Sequence, residues 1–133
     1  MPGQITAYAN LCELYYQTGK TNEIIGVLDE GAKQKDAPAD FYVNFAEIIL
    51  RMQAKDILGP DDAKKRAVAA LDKAVALKPD DPVLCLRIID AYLFHNEPAK
   101  AETMAAKLYE DNPNLPGIRE KLISVYLRTN KET

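Results

Sequence analysis

Three carboxylates, Glu13, Glu47 and Asp90, return at matching places along a chain of 133 residues. A second row, Asn10, Asn44, Arg87 and Lys121, lies three residues ahead of each matching place. Such residues serve recognition. An asparagine amide turned into a groove can donate to and accept from a peptide backbone, whatever the peptide's sequence. A ladder of carboxylates favours a basic side chain and repels an acidic one. The competing reading is a solvated face whose carboxylates are balanced by Arg51, Arg87 and Lys121, because charge rows on helices commonly just meet water.

Catalysis would need a nucleophile, an acid–base pair or a metal within mutual reach. The single histidine, His95, ends a predicted helix beside Asn96, where an imidazole stabilises the helix C-terminus. Cys85 lies about three helical turns earlier and cannot reach it. No Gly-rich phosphate loop, metal-ligand spacing or serine elbow is present. Cys12 and Cys85 fall within apolar helical patterns and read as small core residues, with no disulfide framework and no metal site. The expectation is no enzyme, no cofactor and no metal.

The elements that must position these rows follow from a spacing of thirty-four residues. Tyr92 and Tyr126 are that far apart, as are Ala67 and Ala101, Pro79 and Pro113, Tyr8 and Tyr42, and Leu11 and Phe45. A fixed period of this length marks stacked supersecondary units, each too small to bury its own apolar face. Apolar residues at helical spacing predict a first helix over 5–18, stopped at Gly19, and a second from an N-cap at Thr21 to about Lys35. Asp36-Ala37-Pro38 breaks it. Further helices are predicted from Ala39 through Lys55, Asp61 to Leu77, Pro82 (capped by Asp81) to His95, Pro98 to Asp111, and Pro116 to Thr129. Nothing alternates with the period of a strand.

In register this is one domain over 1–133, with helical hairpins at about 5–38, 39–81 and 82–115 and a terminal helix over 116–129. The middle hairpin is longer: Tyr42 to Cys85 is forty-three residues, as is Leu28 to Leu71. The extra residues fall around an inner turn at 53–62. The simplest account extends the third helix and moves the turn to Gly59-Pro60. That turn either selects a partner or is a neutral insertion at the surface, which loops tolerate well.

These residues resemble the tetratricopeptide repeat (TPR) family. Tyr8-x-x-Leu11-Cys12-x-x-Tyr15 with Ile24 and Leu28 is similar to its first-repeat signature. Tyr42-x-x-Phe45-Ala46-x-x-Ile49 with Ala67, Leu71, Ala74 and Pro79 is a clearer copy. Cys85-x-x-Ile88-Ile89-x-x-Tyr92 with Ala101 and Pro113 is a third, and Leu122 with Tyr126 opens a fourth. Departures occur where Cys12 faces Ile24, Ile89 faces Ala101, Asp36 replaces a proline, and Gly31 and Leu108 stand where Ala74 is usual. The resemblance implies an all-α, right-handed superhelix of about three hairpins plus a C-terminal helix. Its concave groove is implied to bind a peptide or helix of a partner protein. The groove would take Thr6, Ala9, Asn10, Glu13, Tyr16 and Gln17 from the first helix and Asp40, Val43, Asn44, Glu47, Leu50 and Arg51 from the third. The fifth would add Val83, Leu86, Arg87, Asp90, Leu93 and Phe94, and the last Glu120, Lys121, Ser124, Leu127 and Arg128. Some family members hold the C-terminal carboxylate of heat-shock chaperones in a basic clamp. Asn44 and Arg87 match two members of it, but Ala9, Glu13 and Val83 stand where three others belong, and Glu13 would repel the carboxylate.

Composition narrows the partners. Seventeen basic and twenty acidic residues give a net charge of −3, without the broad positive field of a nucleic-acid binder. The one basic run, Lys64-Lys65-Arg66 near Arg51 and Lys55, follows Asp61 and Asp62 and is expected to face water on the back. No apolar run approaches the ~20 residues that cross a bilayer, and Met1-Pro2-Gly3-Gln4 lacks a signal-peptide pattern. The expected setting is cytoplasmic, with the chain complete or excised from a longer protein. The last helix (Ile118, Leu122, Ile123, Val125, Tyr126, Leu127) and the first (Ile5, Tyr8, Leu11, Leu14, Tyr15, Tyr16) carry more apolar residues than one contact face hides. This gives the alternative function: self-association through the terminal helices, or a place within a longer array.

Overall fold

The structure, a computed structural model, describes residues 5–132; the Met1–Gln4 start, read above for a leader, lies outside the described residues. Seven helices and no strand occur among the described residues: α1 (Ile5–Gln17), α2 (Thr21–Ala32), α3 (Ala39–Ala54), α4 (Pro60–Ala76), α5 (Pro82–Phe94), α6 (Pro98–Asp111) and α7 (Ile118–Glu132). The chain divides between Lys78 and Pro79 into two compact units, α1–α4 and α5–α7.

One device closes all three hairpins. Gly19 takes a left-handed φ of 77°, its amide donates to the Tyr16 carbonyl at 3.3 Å, and the Lys20 amide reaches Tyr15 O at 2.8 Å. Asn96 (φ 58°) repeats this, with its amide on Leu93 O at 3.1 Å and that of Glu97 on Tyr92 O at 2.8 Å. Asp56 (φ 61°) does so again with Gln53 and Met52. The left-handed residue folds the chain back so that the last helical carbonyls find donors.

Helix ends depart from the sequence reading where this closure wins over side-chain caps. Thr21 was expected as an N-cap but is already helical; Lys20 holds the cap position with no side-chain bond, its amide being tied back to Tyr15. Asp81 does cap α5, accepting from the Val83 amide at 3.1 Å. α4 begins at Pro60, one residue early, because proline needs no donor partner at a first turn. α7 begins at Ile118 instead of Pro116, since Gly117 (φ 83°) cannot sit in a helix. α2 stops at Ala32, short of Lys35, and Asp36 (φ 62°) turns the chain toward Pro38.

The extra length of the middle hairpin is shared rather than confined to one helix. α3 has 16 residues against 13 in α1 and α5, and α4 has 17 against 12 in α2 and 14 in α6. The turn between them is anchored, because Leu58 is buried.

In the first unit, Cys12, Ile24 and Leu28 bury the α1–α2 contact, and α4 meets α3 with Ala63, Ala67, Ala70, Leu71 and Ala74. Small side chains on α4 let the large ones of α3 (Phe45, Ile48, Ile49, Met52) fill the interface. Each fully buried Ile or Leu contributes about 1.5–3 kcal/mol over exposure. Phe41 sits edge-on to Tyr8 (5.9 Å) and Tyr42 (5.4 Å) and stacks on Phe45 (6.2 Å), joining α1 to α3. Gly31, read as a departure from the repeat, is a requirement: a Cβ there would overlap the buried Phe45 ring. In the second unit, Ile88, Ile89 and Tyr92 of α5 pack on Ala101, Met104, Ala105 and Leu108 of α6, while Ile118 and Val125 bury α7. Ile89 and Ala101 are both fully enclosed, so the large residue is matched by a small one.

Substituting Gly31→Ala sets a helix-propensity gain of about 1 kcal/mol against an overpacking cost of roughly 1–3 kcal/mol. Phe45 is buried and the added Cβ would meet its ring directly, so the expected net effect on urea unfolding is destabilising. In a Phe45→Leu background the same change is expected to be near neutral or stabilising.

Candidate functional site

The residues expected to serve recognition fall on stripes with one helical spacing, i, i+3, i+7. α1 carries Asn10, Glu13 and Gln17; α3 carries Asn44, Glu47 and Arg51; α5 carries Arg87, Asp90 and Phe94. Residues so spaced share one face of a helix. In the first unit α1 lies against α3, so two of these stripes belong to neighbouring helices. In the second unit α5 and α7 are tied together: Lys121 Nζ meets Asp90 Oδ1 at 2.7 Å, and the Arg128 guanidinium donates to Leu93 O at 3.0 Å.

Asn10, Glu13, Arg51 and Asp90 are exposed, whereas Asn44, Glu47, Arg87 and Lys121 are half-buried and engaged in interactions within the chain. Asp90 and Glu13 each hold a lysine, and Glu47 is engaged within the chain as well. Asp90 has Lys121, a member of the adjacent row, and Glu13 has Lys55 at 3.7 Å along with a hydrogen bond from Gln17 at 3.3 Å. Lys55 also lies over the Tyr16 ring at 4.0 Å, so the end of α3 clasps α1 through one ammonium. Sequence reasoning placed Lys55 with the basic run near the long turn. Its signal was the extra length of α3, which carries the helix end beyond the last turn of the equivalent α1.

Apolar members of the proposed groove separate. Val43 is not groove-facing: it is 1% exposed and belongs to the core. Leu50, Leu86 and Leu93 are half-buried, while Val83, Leu127 and Phe94 are open, Phe94 at 59% with its ring edge-on to His95 at 5.0 Å. On the back of the first unit, Arg66 is held by Asp29 at 2.9 Å and Asp62 at 3.0 Å; Lys65 is exposed and Lys64 half-buried, closer in than the water-facing position expected.

The terminal helices leave apolar side chains uncovered. Ile123 (53%) and Tyr126 (42%) of α7 occupy the register places of Ile89 and Tyr92, which are 0% and 2% exposed beside α6. Leu11, Leu14 and Tyr16 of α1 are likewise exposed. No helix among the described residues is long and apolar enough to cross a membrane.

A family profile described as tetratricopeptide repeat matches residues 65–131, half of the chain. Neither a curated protein nor a solved structure matches it.

The single histidine and both cysteines are buried. His95 closes α5 from a buried position, its amide on Ala91 O at 3.0 Å. Cys85 is buried with its thiol donating to Pro79 O at 3.4 Å, and burial pushes its pKa up. Cys12, wholly buried, is pushed up to about 11 from an ordinary 9.0 by the same desolvation. A folded pKa above the unfolded one means that the native state keeps the proton longer. The stability this gives is complete below pH 9.0 and is lost as pH rises through about 11. The expected result is a decline in unfolding free energy across that window that is shallower in Cys12→Ala, with Cys12 inert to thiol reagents at pH 8 until denaturant is added.

Proposed function

This chain belongs to the tetratricopeptide repeat family, and on that premise we propose that it is a protein-interaction scaffold whose α1–α3 face holds an extended peptide or helix of a partner, with α5 and α7 of the second unit offering a face of like chemistry. The observation that carries the reading is the repeated stripe. Asn10–Glu13–Gln17 and Asn44–Glu47–Arg51 set an amide beside a carboxylate on two adjoining helices, and Arg87–Asp90–Phe94 adds a carboxylate beside an open aromatic ring. The amides serve the ligand backbone, the carboxylates its basic side chains, and Phe94 an apolar anchor.

The intrachain pairs set the charge of that ligand. Glu13–Lys55 and Asp90–Lys121 are solvent-accessible, and such pairs contribute about 0–1 kcal/mol, so a basic side chain can displace the lysine at small cost. The ligand is basic or mixed in charge and free of dense acidic stretches. The protein is a binding module rather than an enzyme, with no nucleic-acid ligand and a cytoplasmic setting. Capture of partners on the immobilised chain is expected to fall at least tenfold on reversing Glu13, Glu47 and Asp90 to lysine. Capture that survives unchanged would remove the carboxylates from the site.

Self-association is the second reading, favoured by the uncovered Ile123 and Tyr126 at places that are enclosed in α5. The exposed apolar sides of α1 and α7 would meet across copies. Light scattering at rising concentration is expected to give a mass above one chain, reduced to one chain by Ile123→Glu.

A further inference from the structure

The first and second hairpins carry the same crevice, finished in one and open in the other. In the second, Tyr42 and Phe45 of α3 with Arg66, Ala69, Ala70 and Lys73 of α4 border a cleft of about 260 Å³. The end of α2 lies across it. Gly31 sits under the Phe45 ring, Arg66 grips Asp29 at 2.9 Å, Lys73 Nζ donates to Ala32 O at 2.7 Å, and the Tyr42 hydroxyl donates to Gln34 O at 3.0 Å. Counting back thirty-four residues on the inner helix and forty-three on the outer one gives Tyr8, Leu11, Glu23, Gly26, Val27 and Glu30. All six line a cleft of about 440 Å³ on the first hairpin, bordered among the described residues by α1, α2 and Gln34. Leu11 is 39% exposed where Phe45 is 2%.

The charge at the two crevices is opposite. Arg66 and Lys73 suit the carboxylate and carbonyls at the end of α2, the negative pole of that helix. Glu23 and Glu30 stand in their places. Two carboxylates repel another such helix end, so the open crevice is not a copy of the internal joint awaiting the same occupant. They attract lysine, arginine or the positive start of a helix. Glu23 also favours its own helix, standing in the first turn of α2. Glu30 is paired with Lys33 at 3.8 Å, but both side chains are about seven-tenths exposed, and a pair so placed is easily exchanged for another cation.

We propose that the α1–α2 crevice is a second docking site, apart from the α1–α3 face, for a basic amphipathic helix of a partner protein. An apolar side chain of that helix would cover Leu11 and Val27, and its lysines or arginines would meet Glu23 and Glu30. The bare glycine at 26 leaves room for close approach, since nothing lies within 4 Å of where its Cβ would stand.

The test is a titration of the isotope-labelled full chain with a helical leucine–lysine peptide and, separately, with its leucine–glutamate counterpart, followed by amide chemical shifts. The lysine peptide is expected to move Tyr8, Leu11, Gly26 and Val27, and the glutamate peptide to leave them in place. Glu23→Gln with Glu30→Gln is expected to weaken the lysine peptide, as read at those four amides, roughly tenfold, as is Leu11→Ala alone. Equal binding of the two peptides, shifts gathered on Asn10, Asn44 and Glu47 instead, or indifference to the glutamine variants would each overturn the proposal. So would concentration-dependent shifts at the crevice without peptide, which would give it to a second copy of this chain.

Discussion

The ring of Phe45 lies over the backbone of Gly31, and the first unit is organised around that approach. A two-helix hairpin exposes as much apolar surface as it hides, so its second helix needs a cover from the next hairpin. α3 supplies it, and because residue 31 has no side chain the ring settles directly on α2. Once it has, the other ties fall within reach: Tyr42 on Gln34, Lys73 on Ala32 and Arg66 on Asp29. Tyr42 and Lys73 satisfy carbonyls at and beyond the end of α2 that would otherwise depend on water, and Arg66 holds a carboxylate of its last turns. A missing methyl group thus supports a charged and hydrogen-bonded seam.

The proposed recognition face follows from the same arrangement. With α2 and α4 behind, α1 and α3 are left side by side, and residues three and seven positions apart come to lie on one face of each. The clasp of Lys55 on Glu13 and Tyr16 comes from the longer α3. In the second unit the corresponding tie runs from Lys121 to Asp90, drawn from a different helix position. Equivalent carboxylates therefore acquire cations by different routes, and none of these pairs is deeply buried.

Local chemistry was legible from the residues alone, and contacts made at a distance were not. Gly19, Pro60 and Asp81 each act within a few residues of themselves, and each does what its type dictates. Thr21 misled because a cap competes with a backbone closure already made by its neighbour. Gly31 looked like a defect because its partner, Phe45, is fourteen positions away on another helix. Val43 was assigned to the binding face by counting along a repeat, but the neighbours of α3 enclose it. Lys55 was grouped with the basic run instead of with Glu13 because its place depends on where a lengthened helix stops. The helical period fixes which way a side chain points; whether another helix stands there is settled by packing.

The left-handed residue that closes each hairpin has a bearing on how such a chain diverges. Gly19, Asp56 and Asn96 complete their turns using only carbonyls that come before them, at Tyr15 and Tyr16, Met52 and Gln53, or Tyr92 and Leu93. Whatever follows is not consulted. Residues gained past such a position leave the preceding helix and its side chains where they were, whereas residues gained before it lengthen that helix, as in α3, and carry a new side chain such as Lys55 onto its neighbour.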